Sequence, residues 1–112
     1  MAQIHINNTK KALYFDGTNY GYWKSKMIAY LKSINREVWK VTEVKLEIRD
    51  EGNPTNEEEK KLQFNDIAVS ALHEAFDDKV FEQVKNLEVA HEIWEKLKET
   101  YEGTDGTKTT KA

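Results

Sequence analysis

A reaction centre needs a nucleophile, a general base or a set of metal ligands, and the residues here that could supply one are few and poorly spaced. His5 lies in a polar N-terminal stretch, while His73 and His91 sit beside apolar stripes of helical spacing. Neither has an HExxH or other ligand-like spacing around it, so both read as solvated or core-edge imidazoles. Glu57-Glu58-Glu59 and Asp77-Asp78 gather carboxylates as acid/base chemistry would require. Both clusters stand where a helix should begin, however, and acidic residues there are explained by the helix dipole. The glycines at 17, 21, 52, 103 and 106 are scattered turn or helix-start residues, not a phosphate-cradling loop, and Gly-x-Ser-x-Gly is absent. With no cysteine in the chain, disulfides, thiol catalysis and thiolate zinc sites are excluded together. The expectation is therefore no catalytic, cofactor-binding or metal residue, no small-molecule substrate, and a protein that is not an enzyme.

Charge and hydropathy narrow the remaining classes. Seventeen basic against twenty acidic residues leave a net charge of −3, so bulk charge offers phosphate nothing. Lys24, Lys26 and Lys32 share a helix with aromatics, but Trp23 and Tyr30 belong to the apolar stripe of that helix and are poor stacking platforms for bases. No apolar run approaches the roughly 18 residues needed to cross a bilayer, and no signal-peptide segment opens the chain. The start is Met-Ala rather than Met-Gly, which does not indicate myristoylation. Asn7-Asn8-Thr9 fits the glycosylation sequon by chance. A cytoplasmic location, with no membrane contact, is expected.

The elements that position these residues are read from periodicity. At 112 residues, 38% hydrophobic and 33% charged, with a mean hydropathy of −0.81, the sequence describes one charge-coated domain. Such a domain buries roughly two-thirds of its unfolded surface. Three Trp, five Tyr and four Phe supply much of the core volume and exclude a disordered chain. Asp16-Gly17 is a turn dipeptide, and Thr18 or Asn19 is placed to cap a following helix. From there Tyr20, Trp23, Met27, Tyr30 with Leu31, and Ile34 recur at helical spacing, while Lys24, Lys26 and Lys32 fall largely on the other side. Residues 1–11 should form a loose arm, and Ala12 to Phe15 an extended stretch across the first helix. A second, shorter helix is expected around Arg36–Val44, capped by Asn35, with Val38, Trp39 and Val41 inward.

Arg49 to Pro54 is a polar loop containing the single Pro of the chain. Thr55-Asn56-Glu57-Glu58 then reads as a capping box. Phe64, Ile67, Ala68, Ala71, Leu72, Ala75 and Phe76 follow as the broad apolar face of a third helix. Asp77-Asp78 can cap a short fourth, with Val80, Phe81, Val84 and Leu87 inward. A fifth should run from about Glu88 to Glu102, with Ala90, Ile93, Trp94, Leu97 and Tyr101 on one side and Gly103 as its C-terminal cap. The expected fold is all-α, a compact bundle of about five helices spanning residues 12–103, with 104–112 as a tail lacking core signal. Its core would consist of Tyr20, Trp23, Met27, Tyr30, Leu31, Trp39, Phe64, Ile67, Leu72, Phe76, Phe81, Ile93, Trp94, Leu97 and Tyr101.

Four of these segments together resemble a known family. Phe15-Asp16-Gly17-Thr18-Asn19-Tyr20 followed by Trp23, Met27 and Tyr30-Leu31 resembles the opening signature of copia-type retrotransposon Gag proteins of plants. Trp39-x-Val41 is similar to that family's next short motif, Asp66-Ile67-Ala68 to its Asp-x-Ala helix, and the run from Glu92 to Gly103 to its closing motif. The resemblance covers roughly residues 12–112. Two positions depart from it. Phe64 stands where many members place Trp, and Val89 stands where a capping Ser or Thr is common, which leaves Asn86 or Glu88 to start the last helix.

The resemblance implies a fold like the N-terminal domain of retroviral capsid and a structural role, contributing subunit contacts in a virus-like particle. The partners would be other Gag subunits. Nucleic acid would be held only through a zinc knuckle, which this cysteine-free chain lacks, and the tail would lead toward a missing C-terminal domain. In capsid-like shells the first helices of neighbouring subunits meet around rings, which nominates Lys24, Ser25, Ala29 and Lys32 on the polar side of the first helix, together with Arg36. A host-retained or fused Gag-derived adaptor that binds other proteins would have the same fold and core, and the sequence leaves that alternative open. An enzyme, marked by a deep polar pocket with perturbed carboxylates, and direct RNA binding remain formal options.

Overall fold

The computed structural model describes residues 13–102 and is an all-α bundle. The expected arm and tail, the Gly103 cap and the Ala12 end of the extended stretch lie outside the described residues. Five α-helices follow one another: α1 Tyr20–Ile34, α2 Arg36–Glu43, α3 Asn56–Ala75, α4 Asp78–Val84 and α5 Ala90–Leu97. The last runs on into a π-helical turn, Lys98–Glu102, so the fifth helix expected to reach Glu102 changes its winding over its final turn.

Local chemistry sets most of the helix starts. Asn35 is extended and its side chain accepts from the Glu37 N–H at 2.8 Å, capping α2. Thr55 and Glu58 make both halves of the capping box of α3: Thr55 Oγ1 accepts from Glu58 N–H and Glu58 Oε1 from Thr55 N–H. The Thr55 N–H, together with the Arg49 N–H, holds the Glu58 carboxyl below its usual range. Asp77 accepts from Val80 N–H at 2.9 Å and caps α4.

Two starts differ from expectation. Neither Thr18 nor Asn19 caps α1: Asn19 is in the left-handed region (φ 57°) and makes no side-chain cap. Thr18 is engaged by Asp16, whose carboxylate accepts from the Thr18 hydroxyl at 2.6 Å and N–H at 3.0 Å and is thereby held below its usual pKa. At α5, neither Asn86 nor Glu88 supplies the cap, and Val89 in the N-cap position has no polar side chain to offer. The cap comes from across the core, where Asn65 Oδ1 accepts from Ala90 N–H at 2.8 Å and Asn65 Nδ2 donates to the Glu88 carbonyl at 2.9 Å. Asn65 is buried, and this two-sided bond is what makes its burial tolerable.

The core joins all the elements. Tyr20, Trp23, Met27 and Leu31 of α1 are buried against Val38 and Val41 of α2, Ala68, Leu72 and Ala75 of α3, Val80 and Val84 of α4, and Ala90, Ile93, Trp94 and Leu97 of α5. Each fully buried Leu, Ile or Met contributes about 1.5–3 kcal/mol relative to exposure. Tyr30, Trp39, Phe64, Phe81 and Tyr101 are half-buried and pack on this cluster, and Phe76 is buried. The stretch from Leu13 to Phe15 is extended and pairs with the end of α3 as well as lying against α1. Phe15 N–H donates to the Ala75 carbonyl at 2.7 Å, and Asp77 N–H to the Phe15 carbonyl at 3.0 Å. Trp23 Nε1–H fastens the same stretch by donating to the Leu13 carbonyl at 2.7 Å.

Ile67 corrects the expected core. It is 41% exposed. At about 100° per residue it stands about 120° around α3 from the centre of the face formed by Asn65, Ala68, Leu72 and Ala75. The 3,1,3,1 spacing made the apolar face look broader than the neighbouring helices can cover. Ile34, which continues the α1 stripe, is also exposed, because α1 ends there and the chain turns away through extended Asn35.

Candidate functional site

The nominated face of α1 divides in two. Ser25, Ala29 and Lys32 are exposed along one side of the helix, and Arg36 is exposed at the start of α2. Lys24 does not join them. It flanks the apolar stripe, lies partly buried with its Nζ 5.8 Å from the Tyr20 ring centroid, and pairs with Glu102 at 3.2 Å. That pair ties α1 to the π-turn, so Lys24 stabilises the fold internally. Lys24 is the exception to the expectation that Lys24, Lys26 and Lys32 fall largely on the side away from the stripe.

The remaining chemistry-bearing side chains are placed structurally. His91 Nδ1 lies 3.1 Å from the Thr42 carbonyl oxygen, which can only accept, so this nitrogen carries the proton and bridges α5 to α2. His73 meets the ring of Phe81 edge-on, centroids 4.9 Å apart. Its Nε2 is buried with no hydrogen-bond partner among the described residues, and burial lowers its pKa below 6.5. Tyr20 carries a buried hydroxyl likewise without a partner there. Burial, with Glu102 nearby, pushes its pKa up to about 12. Among the described residues no group of three or more His, Cys, Asp or Glu side chains is arranged to hold a metal ion. A surface trough between Leu87 and the charged side of α5 and the π-turn is lined by Glu92, Glu95, Lys96, Lys98, Glu99 and Glu102. Among the described residues no helix is long and apolar enough to cross a membrane.

What sequence reasoning missed is apolar and on the outside. Tyr22, 64% exposed, starts a ridge of i, i+4 neighbours on α1 that continues through Lys26 and Tyr30 to Ile34, 39% exposed. Lys26 Nζ rests 5.1 Å from the Tyr22 ring centroid. Tyr30 and Ile34 form one wall of a shallow trough whose other wall is Asp66, Ile67, Ser70, Ala71 and Glu74 of α3. The signal available in the sequence was the width of the two stripes: Ile34 and Ile67 each extend an apolar face beyond what one short neighbour can cover. Asn65 was missed for a related reason. It sits three residues before Ala68 and seven before Leu72, on the buried face, where a polar residue marks an internal hydrogen bond.

No curated protein and no solved structure matched the chain. A family match was found, to the gag-polypeptide of LTR copia-type, over residues 27–111. It takes in the second half of α1, all four later helices and the π-turn, and on that extent the chain belongs to the gag-polypeptide of LTR copia-type family.

Proposed function

We propose that this chain is an assembly module, an N-terminal capsid-like domain that contributes subunit contacts to a particle built from many Gag copies. The observation that carries this reading is the family match over residues 27–111, lying on an all-α bundle whose tryptophans and phenylalanines pack in or against the core. The chain then acts through its exterior. Ser25, Ala29 and Lys32 of α1, with Arg36, form an exposed face of small and basic side chains. Small residues let a neighbouring helix approach closely, and the cations give the contact its direction. A contact of this kind is weak singly and gains strength by repetition in a shell.

The test is concentration-dependent association of the full chain, followed by light scattering and negative-stain microscopy. Oligomers are expected to grow with protein concentration, and Ala29→Glu combined with Lys32→Glu should suppress them while leaving the helical circular dichroism unchanged. A chain that remains monomeric at about 1 mM, where even a millimolar contact is half-populated, would overturn the proposal.

A further inference from the structure

Past the end of α2 the chain presents an apolar side chain, a lysine and a carboxylate in that order on an extended strap. Val44, the first residue beyond the helix, has extended backbone (φ −118°, ψ 136°) and is 62% exposed. Lys45 and Glu47 are exposed, while Leu46 and Ile48 are half-buried. Successive side chains of an extended chain point to opposite sides, so Lys45 and Glu47 share the outer side, about 6.5–7 Å apart along the chain. Both ends of the strap are fixed. Val44 N–H donates to the Lys40 carbonyl at 3.0 Å, and Arg49 N–H to Glu58 Oε2 at 3.3 Å. Between them, among the described residues, no hydrogen bond engages the backbone from Lys45 to Ile48, and neither Lys45 nor Glu47 is in an ion pair.

We propose that Lys45 is an acceptor lysine for the small ubiquitin-like modifier, transferred by a conjugating enzyme that reads Val44-Lys45-Leu46-Glu47 as an extended peptide. Lysine is the acceptor for modifiers of this class, but a surface lysine alone selects nothing. The neighbours single this one out. No other lysine of the chain has an aliphatic residue directly before it and a carboxylate two places after it. Such an enzyme offers an apolar ledge to the first of these and hydrogen-bond donors to the second, which lays the ε-amine between them on its cysteine. The strap meets each requirement: Val44 is open, Glu47 stands on the same side as Lys45, and the backbone is free to bond along a groove. Anchored at both ends, it holds the bound conformation in advance and pays little ordering entropy. Asp50 and Glu51, both exposed, outnumber the intervening Arg49 and continue the acidic character beyond Glu47.

In the transfer the Lys45 ammonium first gives one proton to solvent. Its Nζ lone pair then attacks the thioester carbonyl carbon that joins the modifier's C-terminus to the enzyme's cysteine. The C–N bond forms and the C–S bond breaks; the sulfur leaves with the bonding pair and takes the second proton from nitrogen. The products are an isopeptide and a free enzyme thiol, with no oxidant required and one positive charge lost from Lys45. The modification holds whether or not the chain assembles into particles.

Conjugation of the full chain tests this, in a reconstituted mixture of activating enzyme, conjugating enzyme, the modifier and ATP, with no ligase added. One modifier per chain is expected, and peptide mass spectrometry should place the isopeptide on Lys45. Lys45→Arg should abolish this product. Glu47→Gln keeps every lysine and should lower the initial rate at Lys45 about tenfold or more, the worth of one hydrogen bond to a charged group. Val44→Ser, which removes the apolar contact, should lower it as well. Because all three side chains are exposed, circular dichroism and the thermal midpoint should stay unchanged in each variant. A wild-type chain that remains unmodified, or that is modified at scattered lysines as fast as at Lys45, overturns the proposal. So does a rate at Lys45 that either Glu47→Gln or Val44→Ser leaves unchanged, since the enzyme would then be meeting a surface amine and reading nothing around it.

Discussion

Asn65 uses both ends of its amide to hold two backbone groups that α5 cannot satisfy by itself, the Ala90 N–H and the Glu88 carbonyl. Replacing it with alanine removes both partners without admitting water to the Ala90 N–H, since Ala90 is fully buried. A buried donor or acceptor left unsatisfied costs about 1–3 kcal/mol, so Asn65→Ala should lower unfolding free energy by about 2–4 kcal/mol in urea denaturation. A surface asparagine would show almost no effect. His73 gives a second residue-scale expectation, this time in pH. Its pKa is lowered in the folded state by burial, so the unfolded chain binds the proton more readily. Stability is then fully present above pH 6.5, the ordinary value, and declines as the pH falls below it toward the lower folded-state pKa. Asp66, Glu74 and Glu88 around the same depression favour the imidazolium and Lys85 opposes it, but desolvation decides the direction. Urea midpoints measured at pH 7.5 and pH 5.5 should fall further for the wild type than for His73→Leu. Equal falls would show that His73 is as easily protonated in the folded chain as in the unfolded one.

At the scale of the element, the fold was legible wherever a helix is started by its own neighbours in sequence. Asn35, the Thr55–Glu58 box and Asp77 each act within three residues of themselves, so spacing alone identifies them. It was illegible where a remote or competing group intervenes. The cap of α5 comes from 25 residues upstream, and Thr18 is taken by Asp16 before it can reach α1. The same distinction explains the candidate surface. That α1 and α3 have apolar faces follows from periodicity, but how wide a strip the neighbouring helices cover depends on packing, and Ile67 and Lys24 were misplaced for that reason. The local caps are correspondingly testable one at a time. Thr55→Ala removes the acceptor for Glu58 N–H and should cost about 1 kcal/mol, the usual value of an N-cap. Because the box is exposed, the loss should be seen as a lower thermal midpoint with no change in the spectrum of the folded state.

At the scale of the whole molecule, the aromatic residues decide whether this is one cooperative unit. Trp23 stacks on Phe15 with centroids 4.6 Å apart and stands 5.9 Å from Phe76 and 5.7 Å from Trp94, which in turn meets Trp39 edge-on at 5.3 Å. One side chain therefore touches the extended stretch, the end of α3 and α5 together, and its indole N–H also holds the Leu13 carbonyl. Deleting such a buried ring costs about 3–5 kcal/mol, a large share of the roughly 5–15 kcal/mol that holds a domain of this kind folded. Trp23→Ala and Trp94→Ala should each lower stability by that amount. Trp23→Phe separates the two contributions, because it keeps an aromatic in the cluster and removes only the donor to Leu13. It should cost less than Trp23→Ala, and the loss should concentrate in faster amide exchange at the Phe15 and Asp77 N–H groups that join this stretch to the end of α3. If Trp23→Ala and Trp94→Ala both left the thermal midpoint unchanged, the indoles would not be packing material, and a chain argued to act through its exterior would have to be reconsidered as one that uses its interior.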